Sequence, residues 1–150
     1  MTKPNSNERT FQFFNEIGII NQLASNAFES RLPDGMTISQ FTVLNWFTRV
    51  DDEATPGRLA TAFMVTKGAM TNTLKRLEDK GFVHIRPDEH SGRRKLVTMT
   101  AAGASARAAA IVAVEPLLKE VQKQFGASDL TASIPFLEQV RTFLDERRFR

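Results

Sequence analysis

The stretch from Thr55 to Thr100 constrains the fold of this 150-residue chain more than any other. Thr55-Pro56 reads as a helix start, with threonine as N-cap and proline at the first helical position, where its missing N–H costs no bond. Leu59, Ala60 and Phe63 give this short helix an apolar face. After a tight turn from Phe63 to Thr66, a second helix is expected from near Thr66 to Gly81. Its Met70, Leu74 and Leu77 recur at i, i+4 and i+7, so that side packs inward. Gly81 suits the left-handed residue that closes a helix. Phe82-Val83-His84-Ile85 and Leu96-Val97-Thr98-Met99 then read as antiparallel strands, joined by the turn-rich PDEHSGRRK as a hairpin tip. Two helices across a tight turn make a helix-turn-helix, and a hairpin directly behind it is a wing.

The flanks are helical. Residues 8–31 carry Phe11, Phe14, Ile17, Ile20, Leu23, Ala24, Ala27 and Phe28 at the spacing of one buried stripe, ended by Pro33-Asp34-Gly35. Ser39 can cap a second helix, with Phe41, Val43, Leu44, Phe47 and Val50 on its apolar side and Asp51-Asp52-Glu53 as a polar loop behind it. Thr100 can cap an alanine-rich helix from Ala101 to Phe125, which Pro116 is expected to kink or interrupt. Gly126 marks its end. Ser128 or Asp129 can cap a last helix with Leu130, Ile134, Leu137, Val140 and Leu144 inward, and the late Pro135 shifts its expected start toward Ser133. The expected fold class is mainly α with a small β-hairpin wing, in a single domain. The winged helix-turn-helix lobe covers 38–100, with the wing at 82–99.

Composition excludes several chemistries. There is no cysteine, hence no disulfide, no thiolate metal site and no cysteine nucleophile. That fits a reducing cytoplasm, the expected location. No run of about 18 apolar residues suggests a membrane span, and the polar N-terminus MTKPNSNERTFQFF lacks the plan of a signal peptide. The only histidines, His84 and His90, have no metal-ligand spacing. No phosphate-binding glycine loop or nucleophile elbow appears. An enzyme, a metal and a cofactor are therefore not expected.

Charge points to nucleic acid. Between Arg58 and Lys95 nine cations face four anions, a net +5 in a chain of net +3. With Met70, Leu74 and Leu77 inward, the second helix of the motif presents Lys67, Gly68, Thr71, Asn72, Lys75 and Arg76 outward. Asparagine pairs with adenine, lysine or arginine with guanine, and a threonine methyl meets a thymine methyl. The N-terminal part of this helix reaches bases in such motifs. Lys67, Gly68, Thr71 and Asn72 are thus expected in the major groove, with Lys75 and Arg76 at phosphates or the groove edge. Arg93, Arg94 and Lys95 at the wing suit the minor groove or the backbone. Arg58 and Thr66 complete the candidate set for double-stranded DNA. The alternative is a winged helix used for protein contact, which lacks the steep salt dependence of phosphate binding.

The carrying residues Thr55-Pro56-Gly57-Arg58-Leu59-Ala60, Thr66–Leu74, Arg76–Val83, Gly92-Arg93-Arg94 and Leu96–Thr100 with Gly103 resemble the MarR family of bacterial regulators over almost the whole chain. The resemblance implies a homodimer built by residues 8–31 and 101–147, using apolar groups such as Phe11, Phe14, Leu117, Leu118, Phe136, Phe143 and Phe149. It implies a pseudo-palindromic operator and favours repression. It also implies a small aromatic or phenolic effector that releases DNA, for which Trp46, off the main stripe of its helix, is a candidate lining residue with Phe14, Phe47 and Phe63. Sensing through cysteine is closed to this chain. One departure stands out. The family wing usually carries Asp-x-Arg, the aspartate bracing the arginine. Arg93 matches, but Ser91 takes the aspartate's place, leaving Asp88 or the recognition helix as substitute partner.

Overall fold

The computed structural model describes every residue except Met1 and Pro4, which lie within the expected polar tail. Six helices and three strands follow in order: α1 (Ser6–Glu29), α2 (Ile38–Arg49), β1 (Glu53–Ala54), α3 (Pro56–Phe63), α4 (Lys67–Asp79), β2 (Val83–Asp88), β3 (Ser91–Met99), α5 (Ala101–Phe125) and α6 (Ala127–Arg147). A 3₁₀ turn, Pro33–Gly35, links α1 to α2. The expected mainly helical fold with a small wing is therefore present. The chain forms two compact units, Met1–Ala113 and Val114–Arg150.

The first unit holds the core. Val43, Leu44, Trp46 and Phe47 of α2 meet Leu59 and Ala60 of α3, Met70, Leu74 and Leu77 of α4, and Val83 and Val97 of the sheet. Helix α2 is central, packing against α1, α4 and β3. Its buried arc is accordingly wide, and Trp46, expected off the stripe, is a core residue at 4% exposure. Val50, expected inside, is exposed.

Capping chemistry corrects several boundaries. Helix α2 starts after Thr37, not Ser39. Thr37 Oγ1 accepts from Gln40 N–H and the Gln40 side chain accepts from Thr37 N–H, a capping box that Ser39 cannot form because Thr42 stands three residues on. Gly126 closes α5 through a 2.8 Å bond to the Gln122 carbonyl and at once serves as N-cap of α6. A one-residue link leaves Ser128, Asp129 and Ser133 inside α6 rather than before it. Pro116 does not interrupt α5. Its ring removes one backbone bond to the carbonyl of the exposed Val112.

Three antiparallel strands, in the order β1-β3-β2, replace the expected two. Glu53, expected in a polar loop, pairs with Thr98, and buried Ala54 pairs with Val97. Pro87 lies in β2, at the sheet edge, where a missing N–H breaks no central ladder.

The apolar stripe of α1 is not buried. No residue of α1 or α6 is. Phe11, Ile20 and Leu23 are exposed on α1, and Ile134, Leu137 and Leu144 on α6, in contrast to the inward faces expected of them. One sequence expectation about membranes also changes. By length and composition α5 could cross a bilayer. Its first half instead packs within the first unit: Ala110 is fully buried, and Arg107 Nε donates to Asn45 Oδ1 of α2 at 3.0 Å.

Candidate nucleic-acid interface

Both helices of the motif are framed by matching chemistry. Thr55 Oγ1 accepts from Arg58 N–H and Thr66 Oγ1 from Ala69 N–H, each at 3.1 Å. Thr66, a candidate DNA contact, is thus the N-cap of α4. Each helix then ends in a Schellman turn. Phe82 N–H reaches the Leu77 carbonyl and Gly81 N–H the Glu78 carbonyl after α4; Val65 N–H reaches Ala60 and Met64 N–H reaches Thr61 after α3. Gly81 has φ +77°, as the sequence implied, whereas Met64 adopts φ +55° with a side chain.

Buried Met70, Leu74 and Leu77 anchor α4, and Lys67, Gly68, Thr71, Asn72, Lys75 and Arg76 are all exposed, as expected. They form two adjacent stripes at four-residue spacing. Lys67, Thr71 and Lys75 line clefts facing the wing, while Gly68, Asn72 and Arg76 line neither. A Cβ built at Gly68 meets nothing within 4 Å. The packing of the chain does not demand glycine there.

The wing differs from expectation. Its turn is Glu89-His90, and Arg93, Arg94 and Lys95 belong to β3 rather than to a tip. Pro87 pairs with Lys95, but Asp88 pairs with Ser91, so Gly92, Arg93 and Arg94 form a bulge with no partner across the ladder. The Asp88 carboxylate accepts from His90 N–H at 3.0 Å. It braces the turn and does not substitute for the missing partner of Arg93.

Two clefts separate α4 from the wing. One, of about 370 Å³, is walled by Lys67 and Thr71, by Arg93, Arg94 and Lys95, and by the Thr55–Gly57 start of α3. The other, of about 540 Å³, has Leu74, Ile85, Pro56 and Pro87 for walls, with Lys75, Arg86, Lys95 and the carboxylate of Glu78. The contribution of Thr55–Gly57 was not legible as a site feature, because a helix start reveals its neighbours only once the wing folds over it.

The nine cations of this segment divide. Among the described residues no ion pair reaches Lys67, Lys75, Arg76, Arg93, Arg94 or Lys95. Three are engaged within the chain. Arg58 binds Asp51 at 2.8 Å and lies 5.0 Å from the centre of the Trp46 ring. Its guanidinium holds the Asp51 carboxyl below the ordinary 3.8. Arg86 binds Glu53 at 2.6 Å across the central strand. Lys80 is hydrogen-bonded to Gln40 and to the Asp34 carbonyl. Arg58, expected at DNA, is engaged here with Asp51 and Trp46 while half of its side chain stays exposed.

The aromatic candidates for an effector site are dispersed in role. Trp46 and Phe47 stack edge to face within the core, at 5.3 Å between centroids, and Phe63 packs against that core. Phe14 is exposed on α1 beside Phe13. None of the four lines either cleft.

Comparison with known proteins agrees with this architecture. Residues 34–94 match the MarR family profile. The transcriptional activatory protein BadR of Rhodopseudomonas palustris is 28% identical over 141 residues, covering 90% of this chain and 77% of that protein. The crystal structure of a mutant MarR from E. coli complexed with operator DNA superposes with a TM-score of 0.73 at 27% identity, covering 91% of this chain and 99% of that one. The regulator BldR from Sulfolobus solfataricus shares the fold, with a TM-score of 0.78 at 21% identity over 95% of this chain and 99% of that one. With its helix-turn-helix, wing and flanking helices in this order, the chain is similar to the DNA-binding transcriptional regulators of the MarR family, in sequence over residues 34–94 and in fold over most of its length.

Proposed function

We propose that the protein binds a pseudo-palindromic operator as a homodimer and represses the promoter it covers. The observation that carries the reading is the set of six cations that no ion pair reaches among the described residues, around the polar face of α4 and the wing bulge. Gly68 and Asn72 meet base edges in the major groove, with Arg76 at the groove edge. Lys67, Thr71 and Lys75 face the strand that separates the two grooves, and Arg93, Arg94 and Lys95 take the minor groove or its phosphates.

Dimerisation is supported by apolar surface that the chain does not cover itself. Phe11, Ile20 and Leu23 on α1 and Phe136 and Phe143 on α6 are all more than half exposed. Patches of this kind mark association surfaces. A twofold pair then places two α4 helices on half-sites about one helical turn apart. The name of the R. palustris relative favours a second output, activation, which the same dimer gives from a site upstream of the promoter. The aromatic or phenolic effector implied by the family is part of this reading, with a seat other than core Trp46 and Phe47.

Selection of bound duplexes from a random pool tests the proposal, and the position of the enriched sequence relative to promoters decides the output. Affinity should fall linearly with salt on logarithmic axes. Arg93→Ala should weaken binding to every duplex and flatten that slope by about 0.9 for each phosphate that the arginine neutralises. A flat salt dependence in the unmodified protein defeats the reading.

A further inference from the structure

Lys80 belongs to the basic segment by sequence, yet its ammonium is turned inward. It donates to Gln40 Oε1 at 3.0 Å and to the Asp34 carbonyl at 3.1 Å. Gln40 is the buried polar side chain among the described residues, 4% exposed. The same Oε1 accepts from Thr37 N–H at 3.4 Å and so closes the cap of α2. Asp34 is held at φ +58° in the turn between α1 and α2. Three elements therefore meet at one nitrogen: the end of α4, the start of α2 and the turn before it. Two of the three N–H donors of the ammonium are spent inside the lobe.

We infer that Lys80 is a positioning residue, which sets the angle of α4 in the major groove by tying its last turn to the cap of α2, and touches no DNA. This rests on the assignment of α4 as the reading helix. The geometry gives the tie leverage. Gly68 lies twelve residues before Lys80, about 18 Å along the helix axis. A tilt of roughly 5° about the tied end would displace the reading end by about 1.5 Å, enough to break direct hydrogen bonds to bases, which tolerate only a few tenths of an ångström. The apolar anchors Met70, Leu74 and Leu77 hold α4 to the core without directional bonds. The Lys80–Gln40 bond is directional, joins two helices forty residues apart in sequence, and is shielded from solvent on the Gln40 side.

The test uses the full chain, the duplex enriched from the random pool, and a scrambled duplex of the same base composition. Lys80→Met and Gln40→Met should each lower the ratio of enriched to scrambled affinity about tenfold. The salt slope and the affinity for the scrambled duplex should not change. The double variant should lose less than the product of the two single effects, because the Lys80–Gln40 bond is common to both. Gln40→Glu, which keeps the acceptor, should retain the wild-type ratio. A slope flattened by about 0.9 in Lys80→Met would make the residue a phosphate contact and overturn the inference. An unchanged ratio in Gln40→Met, with or without a lower melting temperature, overturns it too and leaves a purely structural bond. If Lys80→Met fails to fold, the two Gln40 variants decide alone. Failure of the unmodified protein to separate the two duplexes strikes the proposed function instead, and is read before any variant is made.

Discussion

At Gly103 the lack of one carbon decides where α5 can begin. A Cβ there would overlap the Phe82 carbonyl oxygen and come within 2.9 Å of Met99 Cγ. The backbone cannot retreat, because Thr100 ties the same corner twice: its N–H donates to the Phe82 carbonyl at 3.0 Å and its hydroxyl to the Gly81 carbonyl at 2.6 Å. Gly103→Ala should therefore destabilise the fold by about 1–3 kcal/mol, read from urea denaturation. The sequence marks Gly103 as a motif position but cannot give this reason, since the clash is with a carbonyl twenty-one residues earlier. Asp51 invites a second measurement. Hydrogen bonding to Arg58 lowers its pKa below 3.8, so the stabilisation it contributes is present above that value and is lost as pH falls through the depressed one. The stability gap between the wild type and Asp51→Asn should be constant from about pH 7 to about pH 5 and close toward about pH 2. The sole tryptophan, Trp46, lies beneath Arg58 and supplies the fluorescence signal.

Among the elements, α4 shows best what can be read from residues in order. Its apolar triplet, its outward polar face and its closing Gly81 are legible because helix periodicity and caps are local. Local rules also explain the errors at neighbouring boundaries. Thr37 outcompetes Ser39 through Gln40, and Gly126 serves two helices at once. Strand β1 is two residues long and exists only because β3 offers it a partner, so alternation could not reveal it. Within α4, Gly68 carries a cost with no return inside the chain. Glycine in a helix is worse than alanine by up to about 1 kcal/mol, and the space beside it is open. Gly68→Ala should raise the urea midpoint by up to about 1 kcal/mol of stability while weakening binding to the enriched duplex. An unchanged affinity would remove Gly68 from the reading surface.

For the molecule as a whole, the apolar stripes were legible but their destination was not. Periodicity says that one face of α1 avoids water; it does not say whether the same chain or another covers it. The faces of α1 and α6 remain exposed here. Thermal midpoints should therefore rise with protein concentration, as expected when folding is coupled to self-association. Sedimentation should show a dimer, and Leu23→Glu should shift it toward monomer. The basic surface of α4 and the wing divided in a similar way. Residue types and order located the basic segment, but which of its cations are engaged within the chain depended on partners that the fold brings up, Asp51 seven residues away and Glu53 and Gln40 much farther. The wing bulge carries a consequence for how this regulator can change over time. Because the three residues Gly92 to Arg94 lie outside the ladder, a residue gained or removed there alters the reach of the wing without moving Leu96 or Val97 against their partners on β2. Wing length is a parameter that evolution or engineering can vary independently of the core.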